Sequence, residues 1–299
     1  MARGAPGYLG PYRLLNVVHT GHASLIWQAY DDAKQRIVGV KTLLNQDLRN
    51  RQQANFLYHE YSVGVKLKHP NIIEIYPVEW DSRQPYFAME WFSAPNMKQR
   101  LLQGGVEKVA PLISNLIIQG GEALAYMHRC GWVHRDVKPD NFLVDDNGYV
   151  KLIDFALAQR ARRRMMRWFT PRSKPQGTKS YISPEQIRGL PLDGRADLYS
   201  FACTIHELLS GKPPFTGTSA NDLLNKHLRS SPPPLEALNP NVTTEFAKLI
   251  RRAMAKNPEQ RPKSIDDFLV EFRMMRIFKT NPLALLPKTV AEGSDKGAK

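Results

Sequence analysis

The periodicity of the apolar residues changes once along this chain, near residue 95, and that change limits the fold more than any other feature. Before it, short apolar runs such as 37–40 and 72–76 are bounded by turn residues, a pattern typical of strands. Between these runs, the segment 47–67 has the composition and spacing of a helix. The first third of the chain is therefore expected to be a strand-rich unit interrupted by one helix.

Beyond residue 95 the apolar residues recur at helical spacing over long stretches. Several stretches carry helix-start signals, such as Ser264 followed by Asp266 and Asp267. The predicted helices cover 112–128, 194–209, 244–256 and 264–278. The pattern predicts an α+β chain in which a small β-rich lobe precedes a larger helical lobe.

The 299 residues divide into four parts on this pattern. We predict an N-terminal extension over 1–11, a small lobe over 12–91 and a large lobe over 92–281. Prolines and glycines interrupt any periodicity in 282–299, which is therefore expected to be a flexible tail.

Charge and cysteine content exclude several classes of protein. Lysine and arginine number 42 against 28 aspartates and glutamates, a net charge of +14 that indicates an anionic partner. The two cysteines are too few and too far apart for a disulfide framework or a cysteine-based zinc site. Since no apolar run approaches the ~20 residues that cross a bilayer and no signal peptide is evident, we expect a cytoplasmic protein without a membrane span.

A cluster of polar and charged residues at 134–141 is the strongest motif in the chain. Asp136 is followed by Lys138 after two places and by Asn141 after five, and Asp154 stands eighteen residues after Asp136. Two further motifs lie at 183–185 and 197–200. These residue types at these spacings resemble the motifs of the protein kinase family.

The resemblance is to the Ser/Thr class, closest to the eukaryotic-like kinases of bacteria, and it extends over about 12–278. It implies the bilobal protein kinase fold, with a small antiparallel sheet and one helix in the first lobe and a mainly helical second lobe. It also implies transfer of the γ-phosphate of ATP to serine and threonine hydroxyls of proteins. Magnesium would be the accompanying metal, with manganese as an alternative.

By this resemblance, Asp136 would accept the proton of the substrate hydroxyl, and Lys138 would neutralise charge on the phosphoryl group in transfer. Asn141 and Asp154 would bind magnesium, which prefers hard oxygen ligands. Thr178 would help to seat Asp136 and Lys138.

The resemblance also assigns residues of the small lobe to ATP. Lys41 would contact the α- and β-phosphates, and an ion pair with Glu60 would fix Lys41 in its productive position. Backbone groups of Glu90 and Trp91 would hydrogen-bond adenine, with Met89 as the gatekeeper beside them. The remaining predicted ATP-site residues are Val18, Gly21, Ile26 and Leu143.

Four further residues resemble structural positions of the family. Glu185 and Arg261 would form a buried ion pair that anchors the activation segment. Asp197 would brace the catalytic loop, and Arg135 would clamp a phosphorylated activation segment.

The sequence departs from the family in the loop that covers the phosphates. His19 and Ser24 stand where glycines are usual, and Gly21 alone of the three glycines remains. Since glycine permits close backbone approach, this cover is expected to be stiffer or less snug. Ala156 also replaces the glycine that usually follows Asp154-Phe155.

At two other positions, 39 and 64, the chain has a glycine where the family usually has a larger residue. Gly39 is expected to leave more room above adenine than the usual alanine. Gly64 is expected to weaken the helix of the small lobe, since a glycine inside a helix costs about 1 kcal/mol relative to alanine. These departures keep a second hypothesis open: a weakly active or inactive, pseudokinase-like module that binds partners.

The segment 155–184 contains eight basic residues and no acidic one. Phosphorylation at Thr170 or Ser173 would offset the repulsion and order the segment, so the chain's own segment is a predicted substrate. The basic charge also favours protein substrates that are acidic or phosphorylated. Nucleic acid is expected to bind only non-specifically, and the oligomeric state is left open, with a back-to-back dimer as one alternative.

Overall fold

A computed structural model describes residues 7–21, 23–48, 50–80, 85–161 and 177–282, and these form two lobes. The first lobe contains a five-stranded antiparallel sheet in the order β1-β2-β3-β4-β5. Its strands are β1 (Tyr8–Leu9), β2 (Tyr12–Thr20), β3 (Ser24–Asp31), β4 (Arg36–Leu43) and β5 (Tyr86–Glu90). β1 lies within the predicted N-terminal extension, where its residues pair with β2.

The pairing register of the sheet places several predicted ATP-site residues on one face. Ile26 in β3 stands opposite Lys41 in β4, and Gly39 in β4 stands opposite Met89 in β5. Because side chains alternate along a strand, Gly39 and Lys41 share a face, and their cross-strand partners share it with them. The other face packs into a small apolar core that includes Val38, Val40 and Ala88.

Helices make up most of the second lobe, and α1 belongs to the first. The helices are α1 (Arg51–Gly64), α2 (Met97–Val109), α3 (Ile113–Asn115), α4 (Gly121–Arg129), α5 (Pro184–Ile187), α6 (Gly194–Ser210), α7 (Ala220–Arg229), α8 (Leu235–Leu238), α9 (Thr244–Ala253) and α10 (Ile265–Arg273). A π-helical turn, Leu116–Gly120, joins α3 to α4. None of the helices in the described ranges is long and apolar enough to span a membrane.

Two small antiparallel sheets lie where the lobes meet. β7 (Phe142–Val144) pairs with β8 (Val150–Leu152), and β6 (Trp132–Val133) pairs with β9 (Gln159–Arg160). The loop between β6 and β7 contains the 134–141 motif, and Asp154 stands two residues after the end of β8. The β7–β8 hairpin and the β6–β9 strand pair therefore bring the motif residues together at the boundary between the lobes.

The two-lobed α+β fold is confirmed, and the helix expected over 194–209 matches α6 within one residue. The expected strand at 72–76 is wrong, because its residues form only isolated bridges. The reason is that its backbone groups bond to two separate partners: Ile73 N–H donates to Leu152 O and Tyr76 N–H donates to Ala88 O. A continuous ladder with one strand cannot form under those conditions.

Candidate active site

The carboxylate of Asp136 is fixed from both sides in the loop between β6 and β7. Its Oδ2 lies 2.6 Å from Lys138 Nζ, and its Oδ1 accepts hydrogen bonds from Thr178 N–H at 2.9 Å and Thr178 Oγ1 at 3.0 Å. Lys138 Nζ also donates to Thr178 Oγ1 at 2.9 Å. Thr178, which is about 40 positions away in sequence, therefore joins Asp136 and Lys138 in one polar cluster in which both oxygens of Asp136 have defined positions.

Asn141 and Asp154 offer two oxygen ligands beside this cluster. Asn141 Nδ2 donates to the Asp136 carbonyl oxygen at 2.8 Å, which commits the amide nitrogen and leaves the amide oxygen for a ligand. Burial raises the pKa of Asp154, but the Lys41 ammonium and a hydrogen bond from Ala156 N–H lower it by more, so Asp154 is an anion. The donor set therefore fits a hard divalent cation.

A cation at Asn141 and Asp154 would need further ligands. Across the described ranges, no group of three or more histidine, cysteine, aspartate or glutamate side chains is arranged to hold a metal ion. Magnesium is usually bound by one or two carboxylates together with substrate phosphates and water, rather than by an all-protein cage. The two-ligand arrangement therefore suits a metal ion that arrives with a nucleotide.

Asp197 holds the backbone of the loop between β6 and β7. It is fully buried at the start of α6, and its carboxylate accepts hydrogen bonds from His134 N–H at 2.7 Å and Arg135 N–H at 2.8 Å. Burial raises the pKa of Asp197, but His128, 2.8 Å from Oδ2, together with His134 and the hydrogen bond from Arg135 N–H, lowers it by more. Arg135 and Asp154 have φ of +71° and +68°, a strained conformation for residues other than glycine that surrounding contacts must hold in place.

The predicted ion pair of the small lobe is present. Lys41 Nζ lies 2.8 and 2.7 Å from the two oxygens of Glu60, which α1 presents to β4. Burial lowers the pKa of Lys41, but the carboxylates of Glu60 and Asp154 raise it by more, so Lys41 is charged. A cavity of about 280 Å³ adjoins this pair, and Ser24 and Ala156 also line it. This space is bounded by Lys41, by Asp154 and by Ser24 at the start of β3.

At the hinge, Met89 fills the space that Gly39 was expected to leave open. A Cβ atom on Gly39 would stand only 3.1 Å from Met89 Cε and Cγ. The extra room expected at Gly39 is therefore not free, because the Met89 side chain occupies it. Glu90 N–H donates to Glu74 O at 2.8 Å, so of the Glu90 backbone only the carbonyl is left for adenine, and Trp91 follows directly after β5.

Gly64 also has a different role from the one expected. It is the last residue of α1 rather than an interior residue, so it does not interrupt the helix. A Cβ atom there would stand 2.3 Å from Ile75 Cδ1 and 2.9 Å from Phe155 Cδ2. The missing side chain is thus replaced by Ile75 and Phe155, which pack directly against the helix backbone.

The remaining predicted ATP-site residues lie on β2, in the turn after β2, on β3 and on β7. Gly21 joins β2 to β3, and its N–H donates to Ser24 O at 2.8 Å. Val18 in β2 is 44% exposed, Ile26 lies opposite Lys41, and Leu143 in β7 bridges to Asn96.

Glu185 and Arg261 form a bidentate, buried ion pair, with Nη1–Oε1 and Nη2–Oε2 distances of 2.7 and 2.9 Å. Arg135 Nη1 donates to Leu157 O at 3.5 Å. Thr170 and Ser173, the predicted phosphorylation sites, lie outside the described residues.

Sequence reasoning missed several residues that support this site. Gln186 Nε2 donates to Arg135 O at 2.9 Å, and Ser183 and Gln186 form a capping box at the start of α5. The spacing of Ser183 and Gln186 is a recognisable capping signal, so the sequence could have predicted the start of α5, the helix that contains Gln186. His128 has no comparable local signal, because its partner Asp197 is 69 residues away.

The comparisons with known proteins agree with the geometry. Residues 12–271 match the model of the protein kinase domain. The chain is 34% identical over 267 residues to a Streptomyces coelicolor protein named as a probable serine/threonine-protein kinase, covering 88% of this chain and 39% of the relative. It is 32% identical over 255 residues to serine/threonine-protein kinase PknB of Mycolicibacterium smegmatis, covering 84% and 40%. It is 29% identical over 264 residues to serine/threonine-protein kinase PrkC of Bacillus subtilis, covering 88% and 40%.

The match therefore spans about two-fifths of the length of these relatives. It includes all the residues that surround Asp136, Lys41 and Asp197. On these grounds the chain belongs to the protein kinase family, among the eukaryotic-like serine/threonine kinases.

Proposed function

We propose that this chain is the catalytic part of an ATP-dependent serine/threonine protein kinase. The observation that carries the proposal is the cluster of Asp136, Lys138 and Thr178, in which a carboxylate and an ammonium are fixed 2.6 Å apart. Phosphoryl transfer depends on positioning and charge neutralisation, and this cluster provides both.

In the proposed reaction, the γ-phosphoryl group would pass from bound ATP to the substrate oxygen with ADP as the leaving group, and a divalent cation would neutralise phosphate charge. Asp136 orients the substrate hydroxyl and accepts its proton, because the contacts from Lys138 and Thr178 fix where the carboxylate points. Lys138 lies beside the transferred group and reduces its negative charge. General acid–base catalysis by one positioned side chain contributes ~10²–10⁴-fold to a rate.

The small lobe would hold the nucleotide. Lys41, kept in place by Glu60, would bind the phosphates, and Asn141 and Asp154 would hold the cation through their oxygens. Magnesium is the proposed ion, with manganese as the alternative. We further propose protein substrates, including the chain's own basic segment, and a cytoplasmic location where ATP is available.

The observations that favoured an inactive module do not carry a second function. Gly39 and Gly64 do not leave gaps, because Met89, Ile75 and Phe155 occupy the corresponding space. His19 and Ser24 remain departures from the family pattern, but they lie at the end of β2 and the start of β3 rather than in the polar cluster around Asp136.

The test is transfer of radiolabelled phosphate from ATP to the chain itself and to a generic basic protein. We expect transfer by the wild type and a loss of at least ~10²-fold in Asp136→Asn, since the proton acceptor is removed. Asp266→Asn is the matched control, because Asp266 forms only an exposed pair with Arg129 on α10's surface. Absence of transfer by the wild type in magnesium or manganese, or full activity of Asp136→Asn, would contradict the proposal.

A further inference from the structure

A histidine of α1 connects the small lobe to the segment that follows the cation site. His59 Nε2 lies 2.6 Å from Ala158 O, and the two residues are 99 positions apart in sequence. Because a carbonyl oxygen can only accept a hydrogen bond, Nε2 carries a proton and donates it. His59 stands next to Glu60 on the helix but takes no part in the proposed reaction.

The segment from Asp154 to Ala158 is short and internally bonded. Ala156 N–H donates to Asp154 Oδ1 at 3.2 Å. Ala158 N–H donates to Phe155 O at 3.1 Å. The φ of Asp154 is +68°, a conformation that neighbouring contacts must hold in place. A displacement of Ala158 would therefore also displace the carboxylate of Asp154.

Both lobes hold this segment through neighbouring carbonyl groups. Arg135 Nη1, from the loop between β6 and β7, donates to Leu157 O at 3.5 Å. His59 holds the next carbonyl, that of Ala158, from the small lobe at 2.6 Å. The bond from α1 is much the shorter of the two, so the position of the segment depends strongly on α1.

The ring of His59 is held by packing as well as by its hydrogen bond. It meets the Trp132 ring edge-on, with centroids 6.3 Å apart and planes at 69°. The guanidinium of Arg160 lies over the Trp132 ring at 4.2 Å, and its Nη1 donates to Cys130 O at 3.0 Å. Since Trp132 of β6 stands opposite Arg160 of β9, the strand pair fixes the surface on which His59 rests.

Successive residues of α1 therefore act on two parts of the candidate site. Glu60 holds Lys41, and His59 holds the segment that follows β8. Lys41 and Asp154 line the same cavity. Because the two contacts leave one helix a residue apart, a shift of α1 would move the partner of Lys41 and the cation ligand together.

We propose that His59 is a positioning residue: its hydrogen bond to Ala158 O fixes Asp154 for the cation and joins that position to α1. The inference rests on the kinase function proposed above and deepens it, because binding of the cation then depends on a helix that gives it no ligand. Loss of one net hydrogen bond changes an equilibrium constant by about two- to tenfold.

The experiment compares two amides at position 59 that differ by one methylene group. The amide nitrogen of glutamine lies about as far from the backbone as Nε2 of histidine and can donate to Ala158 O, whereas that of asparagine is too close to the backbone to reach it. Binding of a fluorescent ATP analogue is titrated with magnesium chloride, and kcat and KM for ATP are measured with a generic basic protein. We expect His59→Asn to need about fivefold more magnesium for half-maximal binding, and His59→Gln to stay within about twofold of the wild type.

Two further variants separate this role from a loss of folding. In His59→Leu the new side chain favours a helix but cannot donate a hydrogen bond, so this variant should match His59→Asn even if asparagine weakens α1. Gln52→Asn makes the same methylene deletion at an exposed position of α1 and should leave the magnesium requirement unchanged. A merely structural role would lower kcat through the folded fraction, without changing the magnesium requirement or the KM for ATP.

The proposal is overturned if His59→Asn and His59→Leu keep the wild-type magnesium requirement, or if His59→Gln loses as much as His59→Asn. It is also overturned if Gln52→Asn raises the requirement equally, because the effect would then come from the stability of the helix. A wild type that binds the nucleotide with magnesium but transfers no phosphate would instead contradict the kinase function, and the binding titration would still decide the role of His59.

Discussion

The two helices that present charged residues to the candidate site are attached to the protein in different ways. In α6 every residue from Ala196 to Leu209 is buried. In α1, by contrast, the buried residues among its fourteen are Leu57, Glu60, Val63 and Gly64. Because burial of a large apolar side chain contributes about 1.5–3 kcal/mol, α6 is anchored far more strongly than α1.

Because of this difference in burial, the two helices contribute to the candidate site in different ways. α6 supplies Asp197 to a loop whose conformation must not change, and it lies at the centre of the core. α1 supplies Glu60 to Lys41, which lies on β4 of the same lobe. One ion pair and a small apolar contact make this connection. Damage around α6 should therefore reduce the free energy of unfolding, whereas damage at α1 should reduce activity more than stability.

The largest expected effect is on the α6 side, in Arg261→Ala. Arg261 donates to Glu185, to Arg195 O of α6 and to Ala255 O. Its removal leaves Glu185 buried and unpaired, so we expect the free energy of unfolding to fall by about 3–5 kcal/mol in chemical denaturation. Glu185→Leu combined with Arg261→Met should recover much of that loss. A stable, fully active Arg261→Ala would remove the distinction between the helices.

An intermediate effect is expected at the end of α1, in Gly64→Ala. The added Cβ would stand 2.3 Å from Ile75 Cδ1, so α1 or Phe155 must move, and overpacking of this kind costs about 1–3 kcal/mol. Phosphoryl transfer should fall more than the unfolding free energy, since the Lys41–Glu60 pair depends on where α1 lies.

The matched control for this change is Gly64→Ala combined with Ile75→Val, which deletes the very Cδ1 atom that would clash. We expect this double variant to regain most of the lost activity. If Gly64→Ala alone has wild-type activity, α1 is not sensitive to its position in the way the comparison requires.

The smallest effect is a pH dependence from Glu60. Burial raises the pKa of Glu60 from 4.5 to about 7, despite the opposing effect of Lys41, and Asp154 adds to the rise. Activity should therefore increase roughly tenfold between pH 6 and pH 8, as Glu60 becomes ionised and pairs with Lys41. Measurement of kcat/KM between pH 6 and pH 8 tests this increase, which Glu60→Gln should lack.

The same shift has the opposite sign for stability. Since the pKa of Glu60 is higher in the folded protein than in the unfolded chain, its stabilising contribution is complete below pH 4.5 and is lost as the pH rises through about 7. The unfolding free energy of the wild type should therefore fall over that range relative to Glu60→Gln. If the unfolding free energies of the wild type and Glu60→Gln change in parallel with pH, the raised pKa of Glu60 is contradicted.

The sequence was informative where a function depends on several residues at fixed offsets. Lys41, Glu60, Asp136 and Asp154 could be named because each lies at a set distance from another motif, and the structure brings them together. The lobes could be predicted because strand and helix periodicities occupy separate parts of the chain.

The sequence was uninformative where packing between distant residues decides the outcome. Gly64 looked like a weak point in a helix because its spatial partner Phe155 is 91 positions away. The Lys98–Glu207–Tyr181 contacts have no local signal either, since they join three elements that are separated by long stretches of chain.

The contact between Met89 and Gly39 has a consequence for small-molecule inhibition. Methionine has three rotatable bonds and a polarisable sulfur, so it adapts to neighbours of different shape. With no Cβ on Gly39, Met89 rests directly on the strand backbone and already fills the space beside it. Gly39→Ala would place a Cβ 3.1 Å from Met89 Cε and Cγ, so Met89 must shift, and the affinity of competitive inhibitors that contact Met89 should change.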